Sequence, residues 1–281
     1  MVSLAQIGFG EAGSTFAEAG EWGAASRAHD ILPERLEVGT RLGVTPAETL
    51  AQALAGAPVV LSLVTADAAL PVAREAAPLL APGVLFLDMN SVAPATKRAA
   101  AQAVDAAGGR YVDVAVMAPV RPKCLAVPLL VSGPHAAAGC DALAALGFTA
   151  MRAVGEDVGR ASTIKMLRSV MYKGVEALTA ECLIACERAG VTEEVLGSFG
   201  NDWASGADYR LDRMLVHGQR RAAELREVCK TLEGLGLQPQ MSTGTVHWQQ
   251  TLGSMAVSPL PEGLAAKLAA IADAYSDEGG E

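Results

Sequence analysis

The stretch Leu4-Ala5-Gln6-Ile7-Gly8-Phe9-Gly10-Glu11-Ala12-Gly13 decides the fold, because a short apolar run leads directly into a glycine-rich turn. The spacing matches G-x-G-x-x-G, which is informative where a strand precedes it and a helix follows. There, Gly8 permits the tight turn, Gly10 lets a phosphate approach the backbone, and Gly13 lets the helix pack closely on the strand. The stretch therefore predicts a dinucleotide pyrophosphate site at a helix N-terminus. An ordinary glycine turn of an α/β protein is the alternative.

Apolar runs recur through the first half of the chain and predict strands buried on both faces of a sheet. These runs are Val2 to Ile7, Pro58 to Val64, Gly83 to Asp88, Arg110 to Val116 and Pro128 to Ser132, with a weaker candidate at Ala24 to His29. Helical patterns lie between them, at residues 11–20, 46–54, 66–80 and 93–107. This alternation predicts an α/β Rossmann domain with a doubly wound parallel sheet and right-handed crossovers.

The pattern becomes helical throughout after about residue 158. Predicted helices cover residues 161–188, 192–199, 210–235, 242–255 and 261–275, and no convincing strand follows. We therefore expect an α/β domain over residues 1–158 and an all-α domain over residues 159–281. The acidic, glycine-containing tail from Ser276 to Glu281 is expected to be frayed.

Composition excludes several classes of function. The 281 residues carry a net charge of −9 and only 4% aromatic residues. Nucleic-acid and anionic-membrane binding need a positive field, so neither is expected. No apolar run is long enough for a transmembrane helix, and the N-terminus lacks the basic region of a signal peptide. The five cysteines are irregularly spaced and no His/Cys pair completes a metal site with Cys182 and Cys186. These features predict a reduced, cytoplasmic protein without a bound metal.

Asp30 is the candidate residue for discriminating between NAD and NADP. It lies 17 residues after Gly13, at the end of the weaker strand candidate. A carboxylate at this place can accept hydrogen bonds from both ribose hydroxyls, which favours NAD over NADP. Two alternatives stay open: Asp30 is a solvated loop residue, or Arg27 and Arg35 bind the 2′-phosphate of NADP.

Three segments together resemble one family. They are Ile7-Gly-Phe-Gly-Glu-Ala-Gly13, Leu87-Asp-Met-Asn-Ser-Val-Ala-Pro94 and Gly159-Arg-Ala-Ser-Thr-Ile-Lys-Met-Leu167. Their order and spacing are similar to the β-hydroxyacid dehydrogenase superfamily, which includes 3-hydroxyisobutyrate, tartronate-semialdehyde and 6-phosphogluconate dehydrogenases, with imine reductases as relatives. The segments at residues 169–178 and 217–224 resemble its 6-phosphogluconate-dehydrogenase-like branch with a DUF1932 C-terminal domain.

The resemblance implies how the two domains are used. The first would bind NAD(P), and the second would bind substrate and form a homodimer, with the active site in the cleft between the domains. It also implies a set of cofactor-binding residues: Gly8, Phe9, Gly10, Glu11, Ala12, Gly13, Asp30, Val64, Thr65, Asn90 and Ser91. Val64 and Thr65 would lie beside the cofactor, and Asn90 and Ser91 near the nicotinamide or its ribose.

Lys165 matches the catalytic lysine of the family. Partial burial can lower the pKa of a lysine, so that it acts as general acid or base near neutral pH. Ser169 stands at i+4, where the better-known members have an asparagine, and it can still donate a hydrogen bond. A snorkelling or salt-bridged surface lysine is the alternative.

The substrate-binding candidates differ from the family pattern. A Ser-Gly-Gly patch of the family is replaced around Met117, Ala118 and Pro119, which favours a bulkier or more apolar substrate. Tyr172 is a further candidate for the substrate side.

A second group of candidates lies on one predicted helix face. His217, Arg220 and Arg221 stand at i, i+3 and i+4, with Glu224 at i+7, and can form an anion site. A salt-bridged helix face is the alternative.

Together these features predict an NAD(P)-dependent oxidoreductase that moves a hydride between nicotinamide and a β-hydroxyacid or related small alcohol. An imine or ketone reductase on the same scaffold and a non-catalytic dinucleotide-binding protein are the alternatives.

Overall fold

The structure is a computed structural model that describes residues 3–200 and 203–278. The chain divides into two compact units, Met1–Met166 and Leu167–Glu281, so the division falls within the helix that begins near the predicted boundary. Val2 of the first predicted strand and the last three residues of the tail lie outside the described residues.

The first unit contains an eight-stranded sheet. Its strands are β1 (Leu4–Ile7), β2 (Ser26–His29), β3 (Thr45–Pro46), β4 (Val59–Ser62), β5 (Leu85–Asp88), β6 (Arg110–Val116), β7 (Leu129–Ser132) and β8 (Met151–Ala153). Their order across the sheet is β3-β2-β1-β4-β5-β6-β7-β8. The chain thus builds outward from β1 in one direction and then from β4 in the other, as in a doubly wound sheet.

Helices cover both faces of this sheet. They are α1 (Glu11–Ala19), α2 (Pro33–Arg41), α3 (Leu50–Leu54), α4 (Ala69–Ala76), α5 (Pro94–Ala106) and α6 (Ala136–Ala145). Apolar residues of α1, α2 and α6 pack on one face, and those of α3, α4 and α5 pack on the other. The α/β fold class is therefore confirmed.

Several details differ from the sequence expectation. The sheet is not wholly parallel, because β7 runs antiparallel to β6. The predicted helix at residues 46–54 was wrong in its first part: Pro46 belongs to β3, and a capping box formed by Thr49 and Gln52 starts α3. The short strand β8 and the helices α2 and α6 were not predicted.

The second unit is helical throughout its described residues. It holds most of α7 (Arg160–Ala189), followed by α8 (Thr192–Ser198), α9 (Trp203–Gly234), α10 (Gln240–Ser254) and α11 (Leu264–Glu278). Gly218 and Gly253 bring α9 and α10 into backbone contact, since a Cβ on either would clash with the facing helix. Among the described residues, no helix combines the length and apolar character needed to cross a membrane.

Candidate active site

The glycine turn lies where the strand order reverses. β1 and β4 are neighbours, and their carboxyl ends open at the same edge of the sheet. Gly8 has φ +87°, and a Cβ there would overlap the carbonyl of Leu63 just beyond β4. Only glycine combines that conformation with so close an approach. Ligands of doubly wound sheets bind outside the carboxyl ends at this reversal point.

The turn leaves room for a phosphate at the N-terminus of α1. Gly10 is the residue before the helix, no side chain caps the helix there, and a Cβ on Gly10 would meet nothing within 4 Å. A Cβ on Gly13 would instead lie 2.8 Å from the carbonyl oxygen of Gly8, so Gly13 permits the close packing of helix on turn. Exposed N–H groups at a helix N-terminus attract anions, so these residues fit a dinucleotide pyrophosphate.

The Asp30 carboxylate is held against the glycine turn. Its two oxygens accept hydrogen bonds from the backbone N–H of Phe9 at 2.6 Å and from that of Leu32 at 2.9 Å. These bonds fix a carboxylate directly after β2, where the sequence predicted a ribose acceptor. Arg27, one of the two alternatives for a 2′-phosphate, is instead bound to the carbonyls of Gln52 and Ala55.

The Asn90 side chain ties together the carboxyl ends of β4 and β5. Its amide oxygen accepts from the backbone N–H of Val64 at 2.7 Å, and its amide nitrogen donates to the hydroxyl of Ser62 at 3.0 Å. Asn90 is therefore buried and fixes the loop that carries Val64. The hydroxyl of Thr65, the next residue, hydrogen bonds to Asp67 and lowers the pKa of that carboxyl.

Lys165 reaches the same edge of the sheet. Its amine is in hydrogen-bond contact with the hydroxyl of Ser91, directly after Asn90. Lys165 is half-buried in the second turn of α7. The structure thus brings together Lys165, the Asn90-Ser91 turn and the glycine turn, which are far apart in the sequence.

A buried polar network underlies this contact and was missed by the sequence analysis. We use that name for Asp88, Lys97, Tyr111, Asp113 and Ser162. The Lys97 amine lies 2.9 Å from Asp88 Oδ1 and 3.3 Å from Asp113 Oδ1, and all three side chains are buried. The Tyr111 hydroxyl donates to Asp88 Oδ2 at 2.6 Å. Burial, reinforced by the charges of Asp88 and Asp113, raises the pKa of Tyr111 well above its ordinary value.

Asp113 caps the N-terminus of α7. Its carboxylate accepts from the backbone N–H groups of Gly159 and Ser162, both at 3.1 Å, and from the hydroxyl of Ser162 at 2.8 Å. A negative charge is stabilised at a helix N-terminus. One sequence feature could have predicted this network: Asp88 and Asp113 are charged residues within apolar runs that predict buried strands. They are register partners in adjacent strands and require a counter-charge.

The loop after β6 lines an apolar part of the first unit. Met117 and Ile164 both pack against a small buried cluster that includes Ala161 of α7, and Ile164 directly precedes Lys165 in sequence. Ala118 packs on the main core. Pro119 is exposed in the same loop. This segment therefore presents apolar rather than hydroxyl groups, as its sequence predicts.

The remaining candidates belong to the second unit. Ser169 is half-buried on α7, and Tyr172 is exposed with the Arg168 guanidinium 3.9 Å from its ring centroid. His217 is half-buried and Arg220 is exposed, both on α9.

Arg221 and Glu224 form ion pairs within the second unit, as expected for a salt-bridged helix face. Arg221 pairs with Glu176 of α7, and Glu224 pairs with Lys173 at 2.7 Å. Burial lowers the pKa of Lys173, opposed by the charge of Glu224. Arg221 is therefore engaged by Glu176 and is not available to the anion site predicted on this face. The assignment of His217 and Arg220 to that site stays a prediction.

Two family models match the chain. One, described as the NAD binding domain of 6-phosphogluconate dehydrogenase, matches residues 3–138. The other, described as a domain of unknown function (DUF1932), matches residues 187–252. The first range covers the glycine turn, Asp30, Asn90 and Ser91.

Solved structures agree with these matches. A conserved hypothetical protein from Sinorhizobium meliloti is 40% identical with a TM-score of 0.76, over 98% of this chain and 97% of that chain. The conserved protein MTH1747, reported to be structurally similar to 3-hydroxyacid dehydrogenases, is 32% identical with a TM-score of 0.69, over 89% and 96% of the two chains. A 3-hydroxyisobutyrate dehydrogenase from Salmonella typhimurium is 16% identical with a TM-score of 0.73, over 96% and 100%. This last likeness shows the shared fold.

The substitution Tyr111→Phe tests the buried polar network. It removes the hydroxyl that donates to the buried carboxylate of Asp88, so we expect a loss of about 1–3 kcal/mol in the free energy of unfolding near neutral pH. Urea denaturation measures it, with Ser198→Ala as control, because that change removes an exposed hydroxyl that bonds to the Val195 carbonyl of the same helix. A loss no larger than that of the control would contradict the role given to Tyr111.

The same variant has a predicted pH dependence. The pKa of Tyr111 is raised in the folded state, so above its ordinary value of 10.0 the unfolded chain releases this proton first. Wild-type stability therefore falls as pH rises through that region, whereas phenylalanine has no proton to lose. The stability difference between the two proteins should narrow above pH 10.

Proposed function

Since the chain belongs to the β-hydroxyacid dehydrogenase superfamily, in its branch with a DUF1932 C-terminal domain, we propose that it is a nicotinamide-dinucleotide-dependent oxidoreductase acting on a β-hydroxyacid or related small alcohol. One observation carries the proposal. The Lys165 amine meets the Ser91 hydroxyl at the sheet edge that also holds the glycine turn. A proton-transfer group thus lies at the edge where the dinucleotide is expected to bind.

Lys165 supplies the proton chemistry. A bound nicotinamide would give or take the hydride. In alcohol oxidation Lys165 Nζ takes the hydroxyl proton, and in the reverse direction it returns a proton to the carbonyl oxygen. The Ser91 hydroxyl holds Nζ in place, and partial burial reduces competition from water. Asn90 acts beside them by fixing the loop that carries Val64.

The loop after β6 bears on the choice of substrate. Met117 stands where the better-known dehydrogenases have a Ser-Gly-Gly patch, and it packs on the same small apolar cluster as Ile164, the residue before Lys165. An apolar surface favours a substrate with a larger hydrocarbon part. The same observation favours the second candidate, reduction of an imine or ketone.

For the cofactor we propose NAD. The carboxylate of Asp30 is fixed by two backbone N–H groups and keeps further lone pairs for ribose hydroxyls. A 2′-phosphate would meet this negative charge at close range. Arg27 is engaged with backbone carbonyls, which leaves Arg35 as the cation for the NADP alternative.

For assembly we propose a homodimer through the helical unit. Met171 and Leu178 on α7, and Tyr209 and Val216 on α9, are each more than half exposed. Each pair is spaced i,i+7, which places both members on one helix face. Such stripes are suited to burial against a second copy. We expect sedimentation equilibrium to give twice the chain mass of 28.8 kDa, and Met171→Glu to shift it to the monomer. A wild-type monomer at micromolar concentration would contradict the proposal.

The cofactor assignment predicts a preference for NADH over NADPH. Titration followed by tryptophan fluorescence should give tighter binding of NADH. Asp30→Ala should weaken NADH binding by about 10- to 100-fold, the value of a hydrogen bond to a charged group. Asp141→Ala, at an exposed carboxylate of α6, is the matched control. Tighter binding of NADPH by the wild type would transfer the contact to Arg35, and binding of neither would contradict the proposed function.

The catalytic assignment predicts that Lys165→Met loses turnover but keeps the cofactor. A panel of 3-hydroxyisobutyrate, tartronate semialdehyde, 6-phosphogluconate and cyclic imines, followed at 340 nm, first identifies the substrate. On it, kcat should fall by about 10²- to 10⁴-fold, since a positioned acid or base contributes that much. NADH affinity should change little.

Lys230→Met, at an exposed lysine of α9, is the control for loss of a positive charge. Unimpaired turnover by Lys165→Met would overturn the assignment. Turnover of imines alone would favour the reductase, and an inert panel with tight NADH binding would favour a non-catalytic dinucleotide-binding protein.

A further inference from the structure

The buried polar network forms hydrogen bonds with both chain segments that carry the Lys165–Ser91 pair, the turn after β5 and the first turn of α7. Building on the proposed function, we propose that this network positions Lys165 against Ser91, and that Lys97, Asp113 and Ser162 are positioning residues for the reaction. None of these three is assigned a contact with substrate or cofactor. They act through the two chain segments that carry the pair.

One branch of the network leads to Ser91. Asp88 is the last residue of β5, and its Oδ1 accepts from the backbone N–H of Asn90 at 2.9 Å. Lys97 donates both to that Oδ1, at 2.9 Å, and to the Asp88 carbonyl oxygen, at 2.6 Å. The turn that leads to Ser91 is therefore fixed at its side chain and at its backbone.

The other branch leads to Lys165. Asp113 holds the first turn of α7 by three hydrogen bonds, two of them from Ser162. Ser162 stands three residues before Lys165, so the two side chains lie on neighbouring positions of one helix surface. Ser132 adds a link, since its hydroxyl donates to Asp113 and accepts from the backbone N–H of Ala161.

Lys97 joins the two branches. Asp88 and Asp113 are side by side in adjacent strands, fully buried, and would repel each other if both were ionised without a cation. The Lys97 amine lies within 3.3 Å of both carboxylates and neutralises one of the two charges, while the α7 N-terminus faces the other. A buried ion pair often contributes little net stability compared with apolar side chains of similar volume. Its distinctive effect is that each partner is held in one geometry.

The test uses Ser162, because Lys97→Met would leave two buried carboxylates without their counter-charge and the protein is expected to unfold readily. Ser162→Ala removes one hydroxyl and its 2.8 Å bond to Asp113. Ser162→Thr keeps the hydroxyl. Thr179→Val is the matched control, since it removes a buried hydroxyl that bonds only locally, to the Val175 carbonyl of the same helix.

Kinetics on the substrate found in the panel give the first readout. We expect Ser162→Ala to lower kcat by about tenfold or more, because a small misplacement of a catalytic group has a large effect on rate. KM and the NADH dissociation constant should stay within about twofold, Ser162→Thr should recover most of kcat, and Thr179→Val should match the wild type. An unchanged kcat in Ser162→Ala, or a rise in KM alone, overturns the proposal.

A second readout does not depend on turnover, so that failure of the proposed function can be told apart from failure of this inference. Acetic anhydride labels lysine amines, and peptide mass spectrometry gives the labelling of Lys165 relative to exposed Lys230. The folded variants are labelled at the same pH as the wild type. In Ser162→Ala this ratio should rise several-fold over the wild type, because Lys165 loses its fixed contact. In Thr179→Val it should not change. If the panel is inert and the ratio still rises, the positioning role stands; an unchanged ratio overturns it.

Discussion

The arrangement of the first unit depends on burying two neighbouring aspartates, Asp88 at the end of β5 and Asp113 in the adjacent parallel strand β6. Two unpaired carboxylates in a dry interior would cost several kcal/mol each. Three groups offset this desolvation penalty: the Lys97 amine from α5, the Tyr111 hydroxyl, and the backbone N–H groups at the start of α7. Each of these groups has to arrive from a different element, so satisfying the two charges also determines where α5 and α7 begin.

The same edge of the sheet gathers the rest of the site. Gly8 lets β1 approach the chain beyond β4, and Asn90 bonds the loop after β4 to the turn after β5. Asn90 uses both groups of its amide in doing so, with Val64 and Ser62 as partners. Asn90 thus joins the loop after β4 to the turn that carries Ser91, and these contacts give its buried amide a structural role.

Local patterns in the sequence predicted the glycine turn, the approximate bounds of five strands and the helices of the second unit, because short-range sterics and apolar periodicity determine these features. They could not show that β7 runs antiparallel, since periodicity is the same in both directions. Pro46 was misread as a helix start because the capping signal lies at Thr49. Lys97 was overlooked for a different reason. A lysine in an alanine-rich helix normally faces water, and only the long-range approach of Asp88 and Asp113 makes its burial favourable.

Two cations of the second unit, Arg221 and Lys173, are already paired with carboxylates of the same unit. Arg221 is paired with Glu176, which also accepts from the side chain of Gln249 at 2.7 Å, and Lys173 is paired with Glu224. A substrate anion would have to displace a half-buried or buried carboxylate to reach either cation, and removing one partner of such a pair is costly. Arg221 and Lys173 are therefore better explained as ion-pair partners that hold α7 and α9 together than as a binding site for an anion.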